Sequence, residues 1–430
     1  MSPEQAAEVL GKPLQIGHLT LANRLVMGPM AVTAAEKNGA PSEQTIAMFE
    51  ARARGGVGMI IVGGAFSTTR AFDESPFKPC LRMDIDDFVP EFRRVADAVH
   101  AYKVPIIAEI MPGFGRMGSP APGRPNITAS EGRVVIPQEQ FPDGFIVPGG
   151  STTPVAQEAT IAQIEEAERD LVACALRMQR AGWDGVEVAA HMSYFAASFL
   201  SPRSNRRTDR YGGSAENRAR MLVNIVRETR EKAGADFVIG LRITANDYMP
   251  DGQGPEGFAE IAKLVEAAGL DYVALSTGCY ETMRESAPSV DGALVDSGDA
   301  DVFKQALSVP VLIQGLHDPI RAARALAEGH GDAVMLARQM LADPDYPAKA
   351  VAGRFDTIVR CTRGNECMRR MVFQMPVRCT VNPQMGREAR RGKGAPLDRI
   401  VKAPIERAVL ALTGSPKVMG LAGKFIKKAS

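Results

Sequence analysis

No apolar run in these 430 residues reaches the roughly 18 that a membrane span needs. The N-terminus, MSPEQAAEVLGK, has neither a basic start nor an apolar stretch, so it reads as no secretory signal. Cysteine is scarce: six residues cannot build a disulfide scaffold for a chain this long, and a cytoplasmic setting is expected. Charge of one sign is also missing. Lys plus Arg total 51 against 50 Asp plus Glu, and the net charge of +1 excludes a broadly basic nucleic-acid binder. There is one Trp, and no His-rich or multi-carboxylate cluster that would suggest a metal hydrolase. What remains is ordinary globular composition, 45% hydrophobic and 23% charged, with ample material for a core.

That material alternates. Eight short apolar, β-branched runs precede residue 340: Leu25–Met30, Met59–Gly63, Pro105–Met111, Gly185–Ala190, Phe237–Ile243, Tyr272–Thr277, Pro310–Gly315 and Ala333–Arg338. Each is apolar on both faces and closed by turn or polar residues, as buried parallel strands require. Helical spacing of apolar positions fills the gaps at Glu43–Arg54, Phe88–Tyr102, Ile161–Ala181, Glu216–Ala233 and Phe258–Ala268. Eight strand–helix repeats predict an α/β chain forming a (β/α)₈ TIM barrel, with a doubly wound open sheet as the alternative. The first strand is not followed by G-x-G-x-x-G, so no ordinary dinucleotide fold opens the chain. Leu14–Thr20 reads as an N-terminal hairpin that caps the barrel floor. The Pro-, Gly- and Ser-rich piece from Gly115 to Ile161 follows a strand, which puts a long binding loop on the catalytic face.

Function in such a barrel sits at the C-terminal strand ends. Those ends carry Gly28-Pro29-Met30, Gly63-Gly64, Glu109, Tyr194, Arg242, Tyr280, Gly315 and Ala337-Arg338. Gly315 and Ala337-Arg338 end strands seven and eight, where many barrels bind a phosphate. Arg242 points a fixed cation into the mouth, suited to an anion that develops during reaction. Each feature also has a plain structural reading: a packed tyrosine, a tight-turn glycine, an arginine neutralising a carboxylate. Together they indicate a barrel with a phosphate-bearing ligand, and residue patterns carry the reading no further.

Three segments do carry it further. Gly185-Val186-Glu187 through Tyr194, Phe199-Leu200-Ser201-Pro202, and RTDRYGGSAENR at Arg207–Arg218 strongly resemble the Old Yellow Enzyme / NADH:flavin oxidoreductase family. PLQIGHLTLANRLVMGPM, LARQMLADPD and CTVNP resemble it as well, so the likeness covers roughly residues 12 to 390. The branch it resembles is that of the 2,4-dienoyl-CoA and enoate reductases, whose members bind FMN on a (β/α)₈ barrel. Many of them also carry an iron–sulfur cluster and a C-terminal nucleotide-binding domain, and this chain ends about 40 residues beyond the stretch that carries the resemblance. The resemblance implies flavin contacts from Pro29, Met30, Ala31, Gly63 or Gly64, Glu109 and Arg242. It implies an FMN phosphate site at Gly315, Ala337 and Arg338, and a proton donor in Tyr194, with Tyr280 as the nearest polar group beyond strand six.

The sequence departs from the family in three places. Glu109 stands where the family has Gln. Ala189 and Met192 stand where it has its carbonyl-binding His-His or His-Asn pair, the histidine its dienoyl-CoA reductases carry after strand six is missing as well, and His191, one position off, reads as structural. Cys361, Cys367 and Cys379 match three of four iron–sulfur cysteines, with Gly364 in the second place. This leaves open a cluster with a foreign ligand, a three-iron cluster, a lost site, or a three-cysteine zinc site.

The expected organisation is an FMN-binding barrel at 1–355, a cysteine-containing segment at 356–386 and a basic tail at 387–430. The tail has 11 Lys and Arg against 3 Asp and Glu. GREARRGKGAP reads as its linker, with helical stretches at Leu397–Leu412 and Lys417–Lys428. Such a tail suits an acidic electron-carrier protein or membrane surface, or it packs on its own domain or a second subunit of a homo-oligomer. The expected activity is FMN-dependent reduction of activated C=C bonds in an enone, enoate or enoyl thioester, with NAD(P)H as donor. The alternatives are an FMN-dependent amine dehydrogenase or N-demethylase, and a non-catalytic electron-transfer or binding subunit.

Overall fold

The computed structural model describes residues 1–415 and 417–419, except 78, 289 and 391–396, and for 397–403 the backbone alone. Eight parallel strands close into a barrel: β1 (Leu25–Met27), β2 (Met59–Val62), β3 (Ile106–Ile110), β4 (Gly185–Ala190), β5 (Val238–Thr244), β6 (Tyr272–Ser276), β7 (Val311–Gln314) and β8 (Ala333–Leu336). They pair in chain order, and β8 returns to β1 with Val334 opposite Leu25. The TIM barrel is therefore the fold, not the open sheet. β4 forms over the residues expected. β1 stops three residues early because Gly28 is followed by Pro29, which has no N–H to extend the ladder.

The helices between the strands include α1 (Glu43–Arg54), α2 (Val89–His100), α3 (Ile161–Arg180), α4 (Ala215–Ala233), α5 (Pro255–Glu266), α6 (Asp299–Ala306) and α7 (Pro319–Ala327). Their starts are set by caps. Ser42, Thr160 and Ser214 each accept a backbone N–H of the first turn, and Asp318 accepts two. α5 begins three residues before the expected Phe258 because Pro255 supplies a pre-set φ at the first helical position. α3 turns Ile164, Leu171, Cys174 and Met178 inward at helical spacing. Full burial is worth about 1.5–3 kcal/mol for each large apolar side chain.

The floor is closed as expected. Leu14–Ile16 and Leu19–Leu21 form an antiparallel hairpin turned at Gly17, whose φ is +54°. Its Ile16 and Leu21 are fully buried against Val26, Ile61, Ile107 and Val238 of the barrel interior. With one end plugged, the opposite mouth is left for a ligand.

Beyond the barrel, α8 (Glu366–Val372) and α9 (Leu397–Thr413) follow. The tail boundary expected at 387 cuts through a packed contact. Glu388 accepts from Arg52 at 2.6 Å, and Arg52, on α1, is fully buried. Arg369 of α8 donates to the Leu410 carbonyl and Thr413 hydroxyl at the end of α9, and Arg370 pairs with Glu406. α9 therefore lies on the chain's own α8. Most of the expected Lys417–Lys428 helix lies outside the described residues.

Candidate active site

The strand ends converge on a cavity of about 280 Å³ at the open mouth. Pro29, Met30, Ala31, Glu109, Arg242, Gly315, Ala337 and Arg338 all line it, as do Tyr194 and Tyr280. Gly63 does not: Gly64 takes the lining position, and Gly63 packs beneath it, where a Cβ would stand 2.3 Å from the Pro29 side chain. The correction follows from the turn beyond β2, which ends at Val62, and a reading of two adjacent glycines cannot resolve it. Gly64 has φ +67°, and a Cβ there would meet the Ala31 backbone at 2.3 Å, so only glycine lets the two strand ends approach this closely.

Tyr194 follows β4, and Tyr280 follows β6. Their hydroxyls are 3.0 Å apart. The Tyr194 ring is clamped edge-on by Phe114, His191 and Tyr280, with centroids 5.4–5.8 Å away. Burial first, and then the Tyr280 neighbour, push the Tyr194 pKa well above the ordinary phenol value, so its proton stays on at neutral pH. Burial raises Tyr280 as well.

The support beneath Tyr280 was not visible in the sequence. Ser193 accepts from the Tyr280 N–H at 3.3 Å and donates to Glu281 at 3.0 Å. Glu281 in turn accepts from Arg116 at 2.7 Å and Arg203 at 3.1 Å. Burial pushes the Glu281 pKa up, but the two guanidinium charges outweigh it and hold it below the usual range. This ion cluster joins the loops after β3, β4 and β6, and no sequence spacing connects them.

His191 is a second correction. It faces the cavity, with Nε2 3.5 Å from Glu109 Oε1. Burial holds its pKa below the ordinary value. Ala189 and Met192 line the same wall, so no pair of polar side chains occupies the usual carbonyl-binding positions.

At the β7–β8 end, Gly315 has φ +88°, and nothing lies within 4 Å of where its Cβ would be. Arg338 donates to Asn365 at 2.6 Å and to the Pro288 carbonyl at 3.1 Å, both neutral. His317 also borders the cavity. Burial, then the charges of Arg363 and Arg338, push its pKa down to about 3, so it is uncharged.

These residues fit a flavin nucleotide. Glu109 Oε1, Arg242 Nε and His191 Nδ1 are buried without hydrogen-bond partners at one end of the cavity, and a glycine with room above it lies beside a neutrally paired arginine at the other. Orphaned donors and acceptors of this kind call for a polar ligand edge.

Of the long loop from Gly115 to Ile161, Phe145 reaches the cavity. Another part of the outer wall comes from an unexpected source. Met368, Met371 and Val372 of α8, in the cysteine-containing segment, line it.

The cysteines do not fit a four-thiolate cluster. Cys361, Cys367 and Cys379 line one small pocket of about 20 Å³ with Gly364, and Arg338 forms part of its wall. Burial raises the thiol pKa of Cys361, and that of Cys367 to about 11. Among the described residues no three His, Cys, Asp or Glu are grouped to hold a metal ion. The expected metal ligands thus share a pocket but lack the fourth thiolate that a cubane cluster takes.

Comparison with known proteins gives these features a context. The NADH oxidase of Thermoanaerobacter brockii is 35% identical over 412 residues, covering 94% of this chain and 59% of that protein. The N,N-dimethylglycine/sarcosine dehydrogenase of Chromohalobacter salexigens is 30% identical over 433 residues, covering 96% and 58%. Among solved structures, a 2-naphthoyl-CoA reductase in complex with 2-naphthoyl-CoA superposes with a TM-score of 0.79 at 28% identity, over 89% of this chain and 58% of that one. The chain spans less than two thirds of the length of each of these relatives. The model of the NADH:flavin oxidoreductase / NADH oxidase family matches residues 9–357, and the chain belongs to that family.

Proposed function

We propose that the protein is an FMN-dependent reductase of activated C=C bonds, fed by NAD(P)H, with Tyr194 as proton donor. The observation that carries this reading is the Tyr194–Tyr280 hydroxyl pair, 3.0 Å apart in the cavity wall. When bound, FMN supplies the hydride to the β-carbon of an enone, enoate or enoyl thioester. Pro29, Met30, Ala31 and Gly64 would line it along one side, Glu109, His191 and Arg242 would meet its polar edge, and Gly315, Ala337 and Arg338 would hold its phosphate.

Tyr194 then gives its proton to the α-carbon. Tyr280, hydrogen-bonded to it, orients that hydroxyl and can pass a proton back. Either hydroxyl can also donate to the substrate carbonyl, the task for which Ala189 and Met192 have no polar group. The outer wall of Phe145, Met192, Met283, Met368, Met371 and Val372 excludes water and fits an apolar substrate body, and its methionines adapt in shape.

Similarity to a dimethylglycine/sarcosine dehydrogenase favours a second reading, oxidation of a methylated amine. The cavity supports it less. Among its lining residues Glu109 is the one carboxylate, and it already faces Arg242 at 3.9 Å. An ammonium substrate would find no unshared anion.

The test is Tyr194→Phe. General-acid help is typically worth ~10²–10⁴ in rate. The variant should keep flavin reduction by nicotinamide and slow alkene reduction by about that factor. An alkene rate equal to that of the parent removes Tyr194 from the mechanism.

A further inference from the structure

Arg242 rises from β5 into the cavity floor and is 8% exposed. Its Nη2 donates to Gln314 at 3.1 Å and its Nη1 to the Met335 sulfur at 3.5 Å. Its Nε faces Glu109 Oε1 at 3.9 Å, and the same oxygen faces His191 Nε2 at 3.5 Å. Glu187 lies directly opposite Glu109 in the β3–β4 register, fully buried, and accepts from the Tyr272 hydroxyl at 3.0 Å. Burial pushes the Glu187 pKa up to about 8, against the pull of Arg242 and with the push of Glu109. Glu187 therefore keeps its proton at neutral pH, and His191, disfavoured as a cation by burial, is uncharged. The floor then pairs one guanidinium with one carboxylate.

A bare cation at this place would favour any ligand state that gains negative charge, and a cation already faced by a carboxylate favours it much less. We propose that Glu109, besides meeting the flavin edge, acts through Arg242: its carboxylate cancels the guanidinium charge, holds the cavity floor near zero net charge, and keeps the bound flavin a stronger reductant than Arg242 alone would. This inference rests on the flavin reading above. It gives Glu109 an electrostatic task that a glutamine, equally able to accept a hydrogen bond, could not perform.

The experiment has two stages. FMN affinity is measured by fluorescence quenching for the parent chain, Glu109→Gln and Gln314→Glu. The midpoint potential of each loaded protein is then read by spectroelectrochemistry at neutral pH. Glu109→Gln should move the two-electron equilibrium at least tenfold toward the reduced flavin, a shift of about +30 mV. Gln314→Glu puts a second carboxylate on the other side of Arg242 and should shift the potential the opposite way. Equal potentials in the three proteins, or shifts of one sign, overturn the inference and leave the flavin reading standing. A parent chain that binds no FMN overturns both. Should Glu109→Gln fail to load, Gln314→Glu decides, and a potential that is unchanged or raised overturns the inference.

Discussion

Arg338 stands in the wall shared by the cavity and the cysteine pocket, and among the described residues its guanidinium hydrogen-bonds to two neutral groups, the Asn365 side chain and the Pro288 carbonyl. An arginine held by neutral partners keeps its full charge for an anion. Hydrogen bonds to charged groups are worth about 1.5–3 kcal/mol, or roughly 10- to 100-fold in affinity. Arg338→Met should therefore weaken FMN binding by about that factor, measured by fluorescence titration, while circular dichroism stays unchanged. Arg338 was legible in the sequence because it directly follows the eighth strand, as Gly315 follows the seventh. His191 was not. Its place is fixed by the chain path after Ala190, where Met192 adopts φ +58°, and a reading by strand alternation turns it to the wrong side.

Three aspartates repeat one device at the level of the element. Asp184, Asp271 and Asp332 each precede an even-numbered strand, β4, β6 and β8. Each accepts a backbone N–H from the start of the strand before it: Ile106, Ile239 and Val311, at 2.7–2.8 Å. Each also meets a basic side chain, His100, Arg230 or Lys304. The device pins the register of neighbouring strands at the end of the barrel away from the cavity. Asp271→Ala leaves the buried Ile239 N–H without that acceptor and should cost about 1–3 kcal/mol in chemical denaturation, with a cavity-bound ligand unaffected. The strands themselves were legible from their apolar, β-branched runs. These latches were not, since an Asp before a strand looks like any turn residue until its partner strand is known.

α8 serves the cavity through Met368, Met371 and Val372, which gives the cysteine segment a structural use with or without a cluster. A Cβ at Gly364 would meet only the Thr362 hydroxyl, at 3.7 Å, which is ordinary contact. Gly364→Cys should therefore be tolerated and supply the missing thiolate. After anaerobic reconstitution the variant should bind more iron and acid-labile sulfide than the parent chain. Equal content in both would show that the pocket itself, not the fourth ligand, decides occupancy.

For the whole molecule, barrel, plugged floor and open mouth follow from the alternation of strands and helices, and the family was legible in RTDRYGGSAENR and its companions. What sets the substrate was less so, because the outer wall is assembled from loops after three strands and from α8, far apart in the chain. In the proposed reaction this cavity passes electrons from a nicotinamide through FMN to an activated alkene. An anaerobic absorbance titration tests it most directly: NADH and then NADPH are added to the FMN-loaded protein, followed by an enone or an enoyl thioester. The account predicts flavin bands that bleach with a nicotinamide and return on addition of the alkene. Bands that ignore both nicotinamides and bleach with a methylated amine would contradict it.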